Sequence, residues 1–143
     1  IGPYALAIAN TQPDVQIKAI EINPDAVRLM EENIRINRLG FAITHILGDV
    51  KEILPKLNQN FDRIIMPLPK SADNFLDLLP AISKKGTIVH YYTIKKETEI
   101  NEEKDKIIKF FLKIKRKISI VEIVKCGHYS PGTFRYCIDF IIN

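Results

Sequence analysis

The sequence has no tryptophan, two cysteines and three histidines, and no apolar run near the ~20 residues that a bilayer-spanning helix requires. No stretch of these residues is therefore expected to cross a bilayer as a helix. Cys126 and Cys137 are too few for a disulfide framework or a cysteine-rich metal cluster. Both read as small apolar residues in strands, which fits a reducing compartment such as the cytoplasm. His45, His90 and His128 are too dispersed for metal-ligand spacing, so no metal is expected. Internal repeats, linkers and low-complexity segments are also lacking. The chain opens Ile1-Gly-Pro-Tyr-Ala-Leu, without methionine or a basic leader, and reads as the interior of a longer protein.

What is present fits one globular domain with a sizeable core: 143 residues, 46% hydrophobic and 27% charged. A net charge of +4 permits a polyanionic partner without demanding one. The organising stretch is Lys18-Ala-Ile-Glu-Ile-Asn-Pro-Asp25. Ile17, Ala19, Ile20 and Ile22 make a nearly continuous apolar run, the pattern of a parallel strand covered on both faces. Asn23 is a good helix N-cap, Pro24 suits the first helical position, and Asp25 suits the helix dipole. Glu21 therefore stands at the carboxyl end of a strand, where open α/β sheets bind ligands. A carboxylate there can accept both hydroxyls of a ribose. Enzymes using nicotinamide dinucleotides and those using S-adenosylmethionine both place an acid at this point, and a solvated strand-end glutamate is the plainer alternative.

The rest of the chain alternates. Gly2 and Pro3 open a helical pattern over residues 4–9, and a glycine there lets backbone approach a ligand closely. A strand over 16–22 leads to a helix over 24–39, with Val27, Met30 and Ile34 as its buried stripe, Glu31 and Arg35 paired on the wet face, and Gly40 as its stop. A strand over 42–47 ends in Gly48-Asp49 before a short helix over 50–57. A strand from Phe61 is halted by the prolines of Met66-Pro67-Leu68-Pro69. Ser71 can cap a helix whose Phe75, Leu76, Leu78 and Leu79 face a sheet. A β-branched strand over 86–94, a charged helix over 98–115, and strands over 118–125 and 134–142 complete the chain. The connection over 127–132 is too short for a crossover helix, so the last two strands must be antiparallel. The pattern predicts a doubly wound α/β sheet. Its terminal hairpin separates it from a dinucleotide-binding domain and points to a class I methyltransferase sheet.

Three strand ends are candidates for the crevice. Glu21 would hold a ribose; Asp49 could accept from an adenine amino group with Val50 against the ring, although an acid there is also a common N-cap. Pro67, Leu68 and Pro69 would form a rigid loop beside a reacting centre, or simply end a strand. Lys95 and Lys96 follow a strand tip on the ligand side and could meet phosphates. His90 lies in an apolar strand and reads first as a core histidine.

Ile1-Gly-Pro-Tyr-Ala, Ala19-Ile-Glu-Ile-Asn-Pro-Asp-Ala-Val, Glu32-Asn-Ile-Arg-Ile-Asn, Gly48-Asp-Val, Asp62-Arg-Ile-Ile-Met-Pro-Leu-Pro, Val89-His-Tyr-Tyr-Thr and Tyr129-Ser-Pro-Gly occur in one order. Together they resemble the catalytic domain of archaeal and eukaryotic tRNA (guanine-N1-)-methyltransferases, along nearly the whole chain. The resemblance implies an S-adenosylmethionine-dependent enzyme that methylates the guanosine 3′ of the anticodon. It implies cofactor contacts at Gly2, Tyr4, Glu21, Ile22, Asn23, Asp49 and Val50, a reacting-centre loop at Pro67-Leu68-Pro69, and a His90 bordering the substrate pocket. It also implies an Asp-x-Phe-Ala-Gly turn before residue 1, a first strand between those at 16–22 and 61–66, and an upstream RNA-binding domain and general base. On that expectation these residues alone would fold but would not modify tRNA. One departure stands out: the family often has Asn-Leu-Pro where this chain has Pro67-Leu68-Pro69, and proline cannot orient a guanine as an asparagine amide does. The related wybutosine enzymes, which transfer an aminocarboxypropyl group from the same cofactor, are the alternative, beside a noncatalytic RNA-binding module on the same fold. A nicotinamide oxidoreductase is disfavoured by the Met-Pro-Leu-Pro loop and the terminal hairpin.

Overall fold

A computed structural model describes residues 1–67 and 72–143, without the side chains of 72–74. The expected Ser71 cap and the loop residues Leu68 and Pro69 lie outside the described residues. The alternation predicted from sequence is present: α1 (Pro3–Thr11), β1 (Ile17–Glu21), α2 (Pro24–Ile36), β2 (Ile43–Leu47), α3 (Val50–Ile53), β3 (Phe61–Met66), α4 (Leu79–Ile82), β4 (Ser83–Lys96), α5 (Ile100–Lys113), β5 (Ile118–Ser130) and β6 (Thr133–Ile142), with 3-10 turns at Leu54–Lys56 and Ala72–Leu78. The strands form two sheets rather than one. One is the parallel pair β1–β2 and the other has the order β3-β4-β6-β5. The chain divides into compact units at Ile1–Leu57 and Asn58–Asn143.

In the first unit, α2 follows the expected rules at its start. Asn23 Oδ1 accepts from the Asp25 N–H at 3.0 Å, with Pro24 at the first helical position. Val27, Met30 and Ile34 are buried, and they pack with Ala5, Ala9, Leu39, Ala42 and Ile43 into one apolar cluster. The end of α2 differs from expectation. Arg38, not Gly40, takes the left-handed conformation, with φ 58°. The Leu39 N–H reaches the Ile34 carbonyl at 2.9 Å and the Arg38 N–H reaches Arg35 at 3.1 Å, a Schellman closure sealed by buried Leu39 and Ile34. The apolar residue at 39 selected this closure, because only a turn at 38 returns Leu39 to the core. Gly2 is left-handed too, with φ 62°, and a Cβ there would stand 2.7 Å from Met30 Sδ, so a side chain at position 2 would strain the backbone and force Met30 to shift.

The second unit is built on β4, paired in parallel with β3 and antiparallel with β6. Along β4 the pleat alternates: Val89, Tyr91 and Thr93 are buried, while Ile88, His90 and Tyr92 are half-buried. Helix α5 buries Ile107 and Phe111 at its apolar stripe, and Phe111 meets Phe140 of β6 edge-on, with ring centres 5.6 Å apart. Helix α5 ends as α2 does: Lys115 has φ 58° and the Arg116 N–H bonds the Phe111 carbonyl at 2.9 Å. The predicted hairpin is antiparallel, but its connection is only Pro131-Gly132. Proline followed by Gly132 at φ 70° suits a type II turn, so 127–130 are free to extend β5. Strand β5 lies at the edge of its sheet, and its pairing slips between Ile120 and Glu122, Lys125 and Gly127, and His128 and Ser130.

Candidate functional site

The parallel register of β1 and β2 places Glu21 opposite Leu47, so the two strands end side by side. The Gly48 N–H donates to the Glu21 carbonyl at 2.9 Å and ties the two exits together. Beyond that tie, each strand delivers an acid and a helix cap. Glu21 Oε1 accepts from the Asn23 N–H at 2.9 Å, which leaves its second oxygen without a partner among the described residues. Asp49 Oδ1 accepts from the Lys51 N–H at 2.8 Å and so caps α3, as the cap reading of that position expects. Gly48 has φ 147°, and a Cβ there would meet Ile53 Cδ1 at 2.9 Å, so the turn before Asp49 requires glycine.

Ile22 corrects the sequence reading. Expected within the buried run, it is 65% exposed, because it follows the last ladder residue and side chains beyond a strand end have no facing layer. Exposed Ile22, half-buried Val50 and exposed Asn23 flank the two acids. Gly2 and Tyr4 belong to the same unit, where Gly2 is the N-cap of α1 and the Asn33 side chain reaches the Ile1 carbonyl at 3.4 Å. The first unit thus contains every residue expected at the cofactor. The arrangement offers a carboxylate for paired hydroxyls beside an apolar surface suited to a flat ring.

In the second unit Pro67 is exposed just past β3; Leu68 and Pro69 lie outside the described residues. The two candidate lysines differ. Lys95 Nζ is 2.9 Å from Glu103 Oε2, and Glu103, only 5% exposed, also accepts from the Tyr91 hydroxyl at 2.6 Å. Lys96 is exposed and 4.0 Å from Glu99. Lys95 is therefore committed to a buried carboxylate, whereas Lys96 is open to a phosphate.

His90 is not an isolated core histidine. Its Nδ1 lies 2.8 Å from Asp139 Oδ1, its Nε2 lies 2.6 Å from Arg63 Nη1, and the Cys137 thiol donates to the same Asp139 oxygen at 3.0 Å. Burial and the Asp139 carboxylate push the Cys137 thiol up to about 12. Spacing along the chain hides this cluster, since residues 63, 90, 137 and 139 meet only through the β3–β4–β6 register. The one available signal was the alternation of Cys137 and Asp139 in a strand bound to pair with that of His90.

Comparison with known proteins identifies the family. The TRM5/TYW2 methyltransferase domain family matches residues 1–123. A curated relative from Methanocaldococcus jannaschii, tRNA (guanine(37)-N(1))-methyltransferase Trm5b, is 38% identical over all 143 residues, which are 38% of its own length. A second from that organism, tRNA(Phe) (4-demethylwyosine(37)-C(7)) aminocarboxypropyltransferase, is 29% identical over 97% of this chain and 55% of its own. Among solved structures, M. jannaschii Trm5 in complex with adenosine is 38% identical with a TM-score of 0.74, covering 90% of this chain and 37% of that one. The chain spans about two fifths of the length of the Trm5b relatives it matches. A family match over most of its length and full-length identity to a Trm5b place the chain in the TRM5/TYW2 methyltransferase domain family.

Proposed function

We propose that this chain is the catalytic domain of a longer cytoplasmic enzyme that transfers a methyl group from S-adenosylmethionine to N1 of the tRNA guanosine 3′ of the anticodon. The observation that carries the reading is the pair of adjoining strand ends, Glu21-Ile22-Asn23 and Gly48-Asp49-Val50, tied by the Gly48 to Glu21 backbone bond. The adenosine complex of the M. jannaschii relative supports a nucleoside at such a site. The residues fit the cofactor: Glu21 has an oxygen to spare for ribose hydroxyls, Asp49 offers an acceptor for the adenine amino group, and Ile22 and Val50 supply apolar surface beside it. The Asn23 N–H holds Glu21 Oε1 and so fixes the carboxylate before any ligand arrives, which reduces the entropy lost on binding. Gly2 and Tyr4, at the start of α1, complete the cofactor set. When bound, the cofactor supplies the electrophilic methyl. Pro67-Leu68-Pro69 flanks the acceptor base, Lys96 meets a tRNA phosphate, and Lys95 is held by Glu103. An upstream segment of the parent supplies an RNA-binding domain and the base that removes the N1 proton.

The test is transfer from methyl-labelled S-adenosylmethionine to tRNA transcripts by the parent protein, followed by mass analysis of the modified nucleoside. A guanosine heavier by one methyl supports the reading, and unmodified tRNA overturns it. Pro67 in place of the asparagine frequent in the methylating branch favours one second reading, aminocarboxypropyl transfer, for which the M. jannaschii aminocarboxypropyltransferase is a precedent. The nucleoside mass separates the two.

A further inference from the structure

The second unit holds a set of donor atoms that the proposed methyl transfer does not use. His90 and Asp139 are cross-strand partners in the β4–β6 ladder, and Cys137 lies two residues before Asp139 on the same face. A His90 ring nitrogen, Cys137 Sγ and an Asp139 oxygen all lie within 4.8 Å of one another, and Nδ1 is the nitrogen 2.8 Å from Asp139 Oδ1. The His90 and Asp139 side chains are 19% and 22% exposed, so a solvent path reaches them, while Cys137 is buried. Pairing is uninterrupted between Ile88 and Lys96 on one strand and Thr133 and Ile141 on the other, which fixes the three backbones before any ligand arrives. We propose that His90 Nδ1, Cys137 Sγ and an Asp139 oxygen form a three-ligand site for a thiophilic divalent cation of the zinc type, with water in the fourth position.

The donor set decides the class of ion. One imidazole nitrogen, one sulfur and one carboxylate suit zinc or cobalt, whereas magnesium and calcium take oxygen donors. Tetrahedral ligands at zinc distances stand about 3.3–3.8 Å apart. The hydrogen-bonded separations of 2.8 and 3.0 Å must therefore open by about half an ångström, while the His90–Cys137 separation, at most 4.8 Å, must close by up to about 1 Å.

The protons give the proposal a sign. In the metal-free arrangement Arg63 Nη1 donates to His90 Nε2 at 2.6 Å, so the ring proton resides on Nδ1 and is donated to Asp139. An ion on Nδ1 requires that proton to move to Nε2, and it requires the Cys137 thiol to lose its own. Each ion bound thus releases one proton, from the sulfur. The Nε2–H would then face the Arg63 guanidinium, donor against donor, so Arg63 opposes loading. A carbonyl in its place would accept from Nε2–H and support the ligand, as outer-shell acceptors do in metal sites.

The experiment is titration of the chain with Co2+, followed by displacement with Zn2+. The expected result is saturation at one cobalt per chain with a thiolate-to-cobalt absorption band, lost on adding zinc. Cys137→Ser should abolish the band and Cys126→Ser should keep it. Asp139→Asn should weaken binding by about tenfold or more, and Arg63→Gln should tighten it by about tenfold. Wild-type ring NMR signals report the same event without any variant, so misfolding of Cys137→Ser does not compromise the test: Zn2+ should shift His90 and leave His45 and His128 in place. A band that survives in Cys137→Ser, a band lost in Cys126→Ser, weaker binding by Arg63→Gln, an unshifted His90, or no saturable binding would each overturn the site.

Discussion

Glu21 divides its carboxylate between a backbone amide and an oxygen with no partner among the described residues, and the two halves predict different losses. Glu21→Ala should weaken S-adenosylmethionine binding by about 1.5–3 kcal/mol, the scale of a charged hydrogen bond, as calorimetry would read. Glu21→Gln, which keeps an acceptor for Asn23, should lose less. Tyr136 presents the reverse case: it is 4% exposed and its hydroxyl has no hydrogen-bond partner among the described residues. Tyr136→Phe should therefore leave stability unchanged or raise it by about 1 kcal/mol in a denaturant titration. Cys137 adds a pH dependence. Its thiol is held to about 12, so the folded state keeps a proton that the unfolded chain gives up near the ordinary thiol range, about 8.5. The stabilisation is complete below that range and is lost as pH rises through it toward 12. Stability should fall more steeply over that window in the wild type than in Cys137→Ser. Lys95 and Lys96 separate in the same way. Lys96→Ala should reduce the slope of log tRNA affinity against log salt by about 0.7–0.9, one phosphate contact. Lys95→Ala should instead cost about 2 kcal/mol of fold stability by stripping the cation from buried Glu103.

Helices α2 and α5 share one ending, a basic residue in left-handed conformation followed by a residue that returns a hydrogen bond to the buried turn. A side chain costs roughly 1–2 kcal/mol in that conformation, part of which is offset by the extra freedom a glycine has when unfolded. Arg38→Gly should thus raise stability by about 0.5–1 kcal/mol, measured by thermal melting. The beginnings of elements were legible and the ends were not. Asn23-Pro24-Asp25 encodes a helix start in three local residues, and the spacing of Val27, Met30 and Ile34 encodes its buried face. Its stop depends on where Leu39 finds the core, which no local rule states. The hairpin was misjudged for the same reason: residues 127–130 read as turn chemistry, yet Pro131-Gly132 alone reverses the chain.

Across the whole molecule, the residues proposed to hold the cofactor all lie in Ile1–Leu57, while Pro67, Lys95, Lys96 and the His90 cluster lie in Asn58–Asn143. The acids at 21 and 49 were legible because a parallel strand followed by a capped helix fixes where its last residue stands. The His90, Cys137 and Asp139 group was not, because residues 90 and 139 become neighbours only through pairing. A ligand on the first unit should stabilise the chain by mass action: S-adenosylmethionine at a hundredfold over its Kd adds about 2.7 kcal/mol and raises the melting temperature, a gain that Glu21→Ala should cut to about 0.3–1.3 kcal/mol at the same cofactor concentration. The three register slips in β5 act on how copies of the molecule meet. An outermost strand of 13 residues is long enough to seed cross-β stacking, which takes about six or seven in-register residues. Between slips, β5 offers no regularly paired run longer than the four residues Glu122 to Lys125. Its edge is therefore broken into short lengths, a feature that disfavours templating of a second chain on a strand carrying exposed Val121, Val124 and Tyr129.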